Sequence, residues 1–219
     1  MELSASDIVA LHDLAPARQS PQSSDAIAAA PADVLPSGDL RALVEAGHAA
    51  NCAIWHLEDQ ARRRDVDDAR IAAIKRAIDP WNQRRNDLME AIDAEILAGY
   101  ANVDLRSSEL HSETAGMMID RLSILALRIH NLDAVASAAS ADADREVELE
   151  CRAKAKVLRG QRSDLAACLA RLLDDFAAGR RHFKLYRQMK TYNDQRLNPA
   201  LRAAAARMKA GAGGTGGNQ

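Results

Sequence analysis

Six polar side chains, Lys75, Asp79, Asn82, Asn86, Glu90 and Asp93, follow one another at spacings of four or three residues. On a helix they share one face. Ile71, Ile74, Ile78, Met89, Ile92 and Ile96 run beside them as an apolar stripe. Asn and Asp are poor mid-helix residues, because their short side chains compete for the backbone. Two of each against an apolar seam point to a site and not to a solvated face. Asn51, Trp55, Glu58 and Arg62 share a face of a preceding helix, and Asp120 sits one turn into a later, mostly apolar one. In a bundle, Glu58, Glu90, Asp93 and Asp120 can converge on one cavity and hold a divalent cation, since facing helices build carboxylate metal sites this way. Hard oxygen donors suit Mg²⁺ or Mn²⁺ and, through it, a phosphate substrate. Lys75, Arg85 and Arg121 would then steady the anion, and Asn82 and Asn86 would orient substrate or water. A metal-free variant has Lys75, Arg85, Arg121 and Arg128 cradling a phosphate or carboxylate, to which Arg presents a planar fork. The competing reading pairs the same acids with Lys75, Arg62, Arg85 and Arg121 in an inter-helical salt network, where exposed pairs contribute about 0–1 kcal/mol each.

Other reactive side chains carry less. No His pair has the spacing of a metal-binding H-E-x-x-H motif. His48, His130 and His182 read as ordinary helix residues, and His56 lies off the Glu58 face beside Cys52 and Asp59. Ser112 and Ser123 lack a nucleophile-elbow context. Trp55 is expected to seal the bundle, with stacking on a base or sugar as the alternative.

The elements that must position these groups follow from caps and periodicity. A short helix over 4–14 carries His12 and Asp13. The Pro-, Ser- and Ala-rich stretch 16–36 reads as a linker. Ser37 or Asp39 can cap a helix over about 40–64, and Asp67 or Asp68 the next, to about 99. Pro80 either kinks that helix or stands at the first position of a new one capped by Asp79. Ser112 or Thr114 begins an apolar helix to about 139. A long helix over 142–178 turns Val147, Cys151, Leu158, Leu165, Cys168, Leu172 and Phe176 inward and ends at Gly179. Asn198-Pro199 starts a last weak helix, and the Gly-rich tail, 210–219, is expected to be disordered. No strand pattern emerges. The organisation expected is thus a flexible N-terminal part, 1–36, one helical domain over 37–209, and the tail.

Composition agrees with helices. Apolar residues make up 47% of the 219 but aromatics only 3%, a mixture of Ala and Leu that suits close-packed helices and not a β-sandwich. A net charge of −2 offers no bulk attraction to nucleic acid or membrane. From Gly179 onward there are nine Lys or Arg against one acid, Asp194. This basic strip, interleaved with Phe183, Tyr186 and Tyr192, lacks the signatures of a nucleic-acid module and is expected to pack against the acidic remainder. Three scattered cysteines and no secretory signal pattern lead to an expectation of reduced thiols in a cytoplasm. No apolar run approaches the ~20 residues of a membrane span.

Three segments stand together: Trp55-His56-x-Glu58-Asp59-x-Ala61-Arg62; Ile74-Lys75-Arg76-x-Ile78-Asp79-x-x-Asn82-Gln83-x-Arg85-Asn86-Asp87-x-x-Glu90-x-Ile92-Asp93; and Ser112-Glu113-Thr114-x-Gly116-x-x-Ile119-Asp120-Arg121-Leu122-Ser123. With them the chain resembles the bacterial domain-of-unknown-function 4254 family. The resemblance implies a neighbourhood of glycosyltransferase and surface-saccharide genes and no defined reaction. It also places His12 and His111 in matching segments, from which either could serve as acid or base. Glu90-x-x-Asp93 with the acids one helix earlier loosely resembles the all-α nucleotide pyrophosphohydrolases, which implies a metal-dependent phosphate-ester or pyrophosphate hydrolase. The sequence therefore predicts an all-α bundle of four or five main helices. It is expected to act on or bind a phosphorylated small molecule, a nucleotide sugar in the implied saccharide context. The alternative is a non-catalytic helical partner or scaffold for a glycosyltransferase. A homo-oligomer is compatible with either.

Overall fold

The computed structural model describes residues 3–18, 34–36, 38–189 and 196–212. Most of the expected linker and tail, and Tyr192 with its neighbours, lie outside the described residues. Residues 1–186 form one compact unit and 187–219 another. The fold is all-α. In the first unit, helices α1 (Ala5–Arg18), α2 (Leu40–Gln60), α3 (Asp68–Gly99), α4 (Ala115–Ala141) and α5 (Arg145–Ala177) follow in order. In the second, α6 (Pro199–Ala212) starts with Pro199 behind Asn198, whose side chain accepts from the Ala200 amide at 2.9 Å. It runs to Ala212, into the 210–219 stretch expected to be disordered. No helix among the described residues is long and apolar enough to cross a membrane.

Each helix begins where its cap chemistry dictates. Asp39 accepts from the Arg41 amide at 2.9 Å, Asp67 from Arg70 at 2.7 Å and Thr114 from Met117 at 3.2 Å. The cap of α5 is Asp144 and not Asp142, because Ala143 between them takes a left-handed φ of 58° that no helix continues through. At the other end of α5, Gly179 (φ 67°) donates to Phe176 O and Arg180 to Asp175 O, the paired bonds of a Schellman motif.

Helices α2 and α3, and α4 and α5, are joined by short loops and pack on each other as two hairpins. α1 lies on α2, α4 and α5. Ile8, Leu43, Val44, Leu88, Ile92, Ile119, Leu122, Leu169 and Phe176 form the shared core. A satellite cluster of Leu57, Ile74 and Ile78 holds the far end of the α2–α3 hairpin, with Trp81 packed against both clusters. This packing settles the Pro80 alternatives. Pro80 lies inside an uninterrupted α3, so Asp79 is not a cap. A mid-helix proline costs ~3 kcal/mol. Burying each of Ile74 and Ile78 before it, and Leu88 and Ile92 after it, contributes about 1.5–3 kcal/mol, so one continuous helix wins.

Two findings depart from the sequence reading. Glu109–Leu110 and Arg181–His182 pair as a two-residue parallel ladder, β1 with β2, beside which Phe183 is buried and edge-on to Phe176. Cys168, expected to face inward, is exposed; the seam of α5 runs through Leu165, Leu169, Leu172 and Phe176 instead. The start of the basic strip is held by acids: Arg180 pairs with Asp175 at 2.6 Å, and Arg181 with Glu109 at 3.4 Å.

Candidate functional site

The polar stripe of α3 passes from solvent into the core. Lys75 and Asp79 are exposed, Asn82 and Glu90 half-buried, Asn86 and Asp93 buried. Its members meet different partners. Lys75 reaches back to Glu58 of α2 at 3.1 Å, and Arg62 meets the same carboxylate at 3.1 Å. Asp93 Oδ1 accepts from the Gly116 amide at 2.6 Å, and Asp93 also bonds the Thr114 side chain, so it closes the N-terminus of α4. Gly116 is required there: a Cβ would lie 2.5 Å from Met89 O and 2.9 Å from the Asp93 carboxylate. Burial, with the nearby Glu90 adding to it, pushes the Asp93 carboxyl up to about 6 against the pull of those hydrogen bonds.

Asp120 is the hub of a buried network. Arg85 grips it with both nitrogens, Nε to Oδ1 at 2.7 Å and Nη2 to Oδ2. That grip raises the guanidinium pKa further, against the opposing effect of burial. Asn51 of α2 donates to Asp120 Oδ1 at 2.9 Å and to Ser123 Oγ at 3.0 Å. Ser123 Oγ also shares a hydrogen bond with His48 Nδ1 at 2.8 Å. The His48 ring stacks on His12 of α1, centroids 5.0 Å apart. Burial drives His12 down to about 3 and His48 to about 4, so both are neutral. Ser123 and His48 have the spacing of a nucleophile and base. They are only 2% and 1% exposed, which makes them part of the core. His48 is therefore no ordinary helix residue, and its place beside His12 and Ser123 was missed. The only sequence signal was Ser123 three residues after Asp120 on an otherwise apolar face.

The four carboxylates expected to share a cation are thus dispersed. Glu58 is held by Lys75 and Arg62, Asp93 by the start of α4, and Asp120 by Arg85 and Asn51. Glu90 stands near Asp93. Among the described residues no group of three His, Cys, Asp or Glu side chains is placed to hold one metal ion. Arg121, expected to steady an anion beside Arg85, turns instead to Glu113 at 2.5 Å. The helix rotations, which spacing along one helix cannot supply, decide this.

What the structure does bring together is the α2 face read from sequence. Asn51, Trp55, Glu58 and Arg62 line one wall of a cleft of about 380 Å³, with Arg85 of α3 at its floor and Ile124, Leu127 and Arg128 of α4 opposite. Arg128 is exposed and has no acidic partner among the described residues. Asp59 at the cleft edge is also exposed, and its carboxylate has no basic partner among the described residues. The indole Nε1 of half-buried Trp55 has no hydrogen-bond partner among the described residues. The cleft thus combines one unpaired guanidinium, one unpaired carboxylate, two paired arginines and an aromatic wall.

Fold and site together define an all-α bundle with a buried polar network behind a small arginine-lined cleft. The chain belongs to the family described as a protein of unknown function, DUF4254, whose model matches residues 41–185. That span contains every residue of the cleft and all of the network except His12. No curated protein and no solved structure matches the chain.

Proposed function

We propose that this protein binds a phosphorylated small molecule in the cleft between α2, α3 and α4. The observation that carries the reading is Arg128. It is an unpaired guanidinium on the rim of a cleft whose other two arginines, Arg62 and Arg85, are already held in place by carboxylates. A charge without a partner, next to a cleft of ligand size, is where an anion gains most. The Trp55 wall suits a planar or sugar ring. A divalent cation accompanying the phosphate would find Asp59 within the same cleft. Mg²⁺ is commonly held by one or two carboxylates together with substrate phosphates, without an all-protein cage. Of the four cations of the metal-free variant, Arg85 and Arg128 line this cleft, with Asp59 as the acid, while Lys75 and Arg121 pair elsewhere.

The test is thermal unfolding against phosphate, pyrophosphate, nucleotides and nucleotide sugars, with and without Mg²⁺ or Mn²⁺. At 100 times its dissociation constant a ligand stabilises the native state by about 2.7 kcal/mol, a readable shift for a chain of this size. Arg128→Ala should weaken binding about tenfold or more while leaving the unliganded melting point unchanged. The ion pairs Lys75–Glu58 and Arg121–Glu113 favour the other reading, a helical partner of a glycosyltransferase whose polar stripes are closed on themselves. A flat response across the whole panel would move the assignment there.

A further inference from the structure

Arg128 belongs to two clefts. On one side of α4 lies the cleft already described. On the other, between α4, α5 and the 111–113 segment, lies a second of about 720 Å³. Ile124 and Arg128 line both, so one turn of α4 is a ridge between them. The second cleft has its own arginine, Arg121, but Glu113 already holds it. Arg128 is therefore the available cation for both sides. The two walls differ in chemistry. The first offers the apolar side chains of Trp55, Ile54 and Leu127. The second offers His111, Gln161 and Asp164. Gln161 and Asp164, three apart on exposed turns of α5, present on one face an amide and a carboxylate that has no partner among the described residues. Such donors and acceptors match hydroxyl groups, which need both.

We propose that the two clefts are halves of one site, and that its ligand is a phosphate or diphosphate ester lying across Arg128. A planar ring rests against Trp55 and a polyhydroxylated group lies beside Gln161 and Asp164. The proposal rests on the phosphate reading above and adds what flanks the phosphate on each side. A guanidinium on a ridge suits a bridging phosphate, because its planar fork can engage two oxygens while both substituents fall away to opposite sides.

Cys168 reports on the second cleft directly. It lines that cleft and is the exposed thiol of the three; Cys151 is buried, and burial pushes the Cys52 thiol up to about 12. The experiment pairs calorimetry with N-ethylmaleimide labelling of Cys168 in the full chain with Mg²⁺, using the four nucleoside diphosphates and their hexosyl esters. The expected result is that at least one diphosphate binds and that its hexosyl ester binds about tenfold tighter. Only the ester, at saturation, slows Cys168 labelling, by about tenfold or more. Gln161→Ala should narrow the gap between ester and diphosphate. If a diphosphate and its ester bind equally and neither protects Cys168, the bipartite site is wrong while the phosphate reading stands. If no member of the panel binds, both are wrong.

Discussion

Arg85 and Asp120 illustrate how burial sets the value of a charge. Asp120 is 8% exposed and takes bonds from Arg85 and Asn51. Removing one member of such a pair strands the other in a poorly solvated place, which typically costs about 3–5 kcal/mol, whereas replacing both by apolar groups is often neutral. Arg85→Met should therefore lower unfolding stability by about 3 kcal/mol or more, and Arg85→Met with Asp120→Leu should regain most of it. Urea titrations of both variants decide the matter; a double variant as unstable as the single would show that the lost stability is not a stranded carboxylate. The exposed Lys75–Glu58 pair of the same stripe is worth at most about 1 kcal/mol. Residues that look alike in sequence thus carry very different weights.

At the scale of elements, α4 is set onto α3 by a contact that allows no side chain. Gly116→Ala would drive a Cβ to 2.5 Å from the Met89 carbonyl oxygen and displace the Asp93 carboxylate from the Gly116 amide. A loss of about 1–3 kcal/mol is expected, readable as a lowered melting point with circular dichroism still helical. The starts of α2, α3 and α4 were legible in the sequence because a cap needs only an Asp or Thr two or three residues from the amide it accepts. The Gly179 stop was legible for the same reason. The β1–β2 ladder was not, since it joins two residue pairs about seventy positions apart. Cys168 was misread because the apolar repeat of α5 steps through 165, 169, 172 and 176, leaving 168 just off the seam. In the site, the α2 face was legible as a face. The convergence of carboxylates was not, because it depends on how far each helix turns about its own axis.

For the molecule as a whole, pH should act through three buried groups. Unfolded histidines titrate near 6.5, whereas native His12 and His48 titrate at about 3 and 4. As pH falls below about 6.5 the unfolded chain takes up protons that the native state refuses, so stability falls, until pH reaches the native values. Arg162 opposes protonation of both rings, and Asp13 favours it at His48. Asp93 works the other way: with a native value of about 6 against 3.8, it gains stability as pH drops through that interval. Two groups lose and one gains, a net loss of about 1.4 kcal/mol per pH unit between about 6 and 4. Melting points from pH 7.5 to 4.5 should fall steadily. Asp93→Asn, which keeps an acceptor for Gly116, should make that fall steeper; a shallower fall would contradict the raised Asp93 value.

Two fastenings join α3 to α4, about two helical turns apart on α3 and about one on α4: Asp93 on the Gly116 amide and Arg85 on Asp120. Two helices in contact have two easy relative motions, a slide along their axes and a roll about them. A single fastening leaves the roll; a pair spaced along the axis removes both. The α3–α4 side of the cleft, lined by Arg85 and Arg128, is therefore braced before anything enters. The freedom an entering molecule must remove lies mainly in the exposed side chain of Arg128, and not in the backbone.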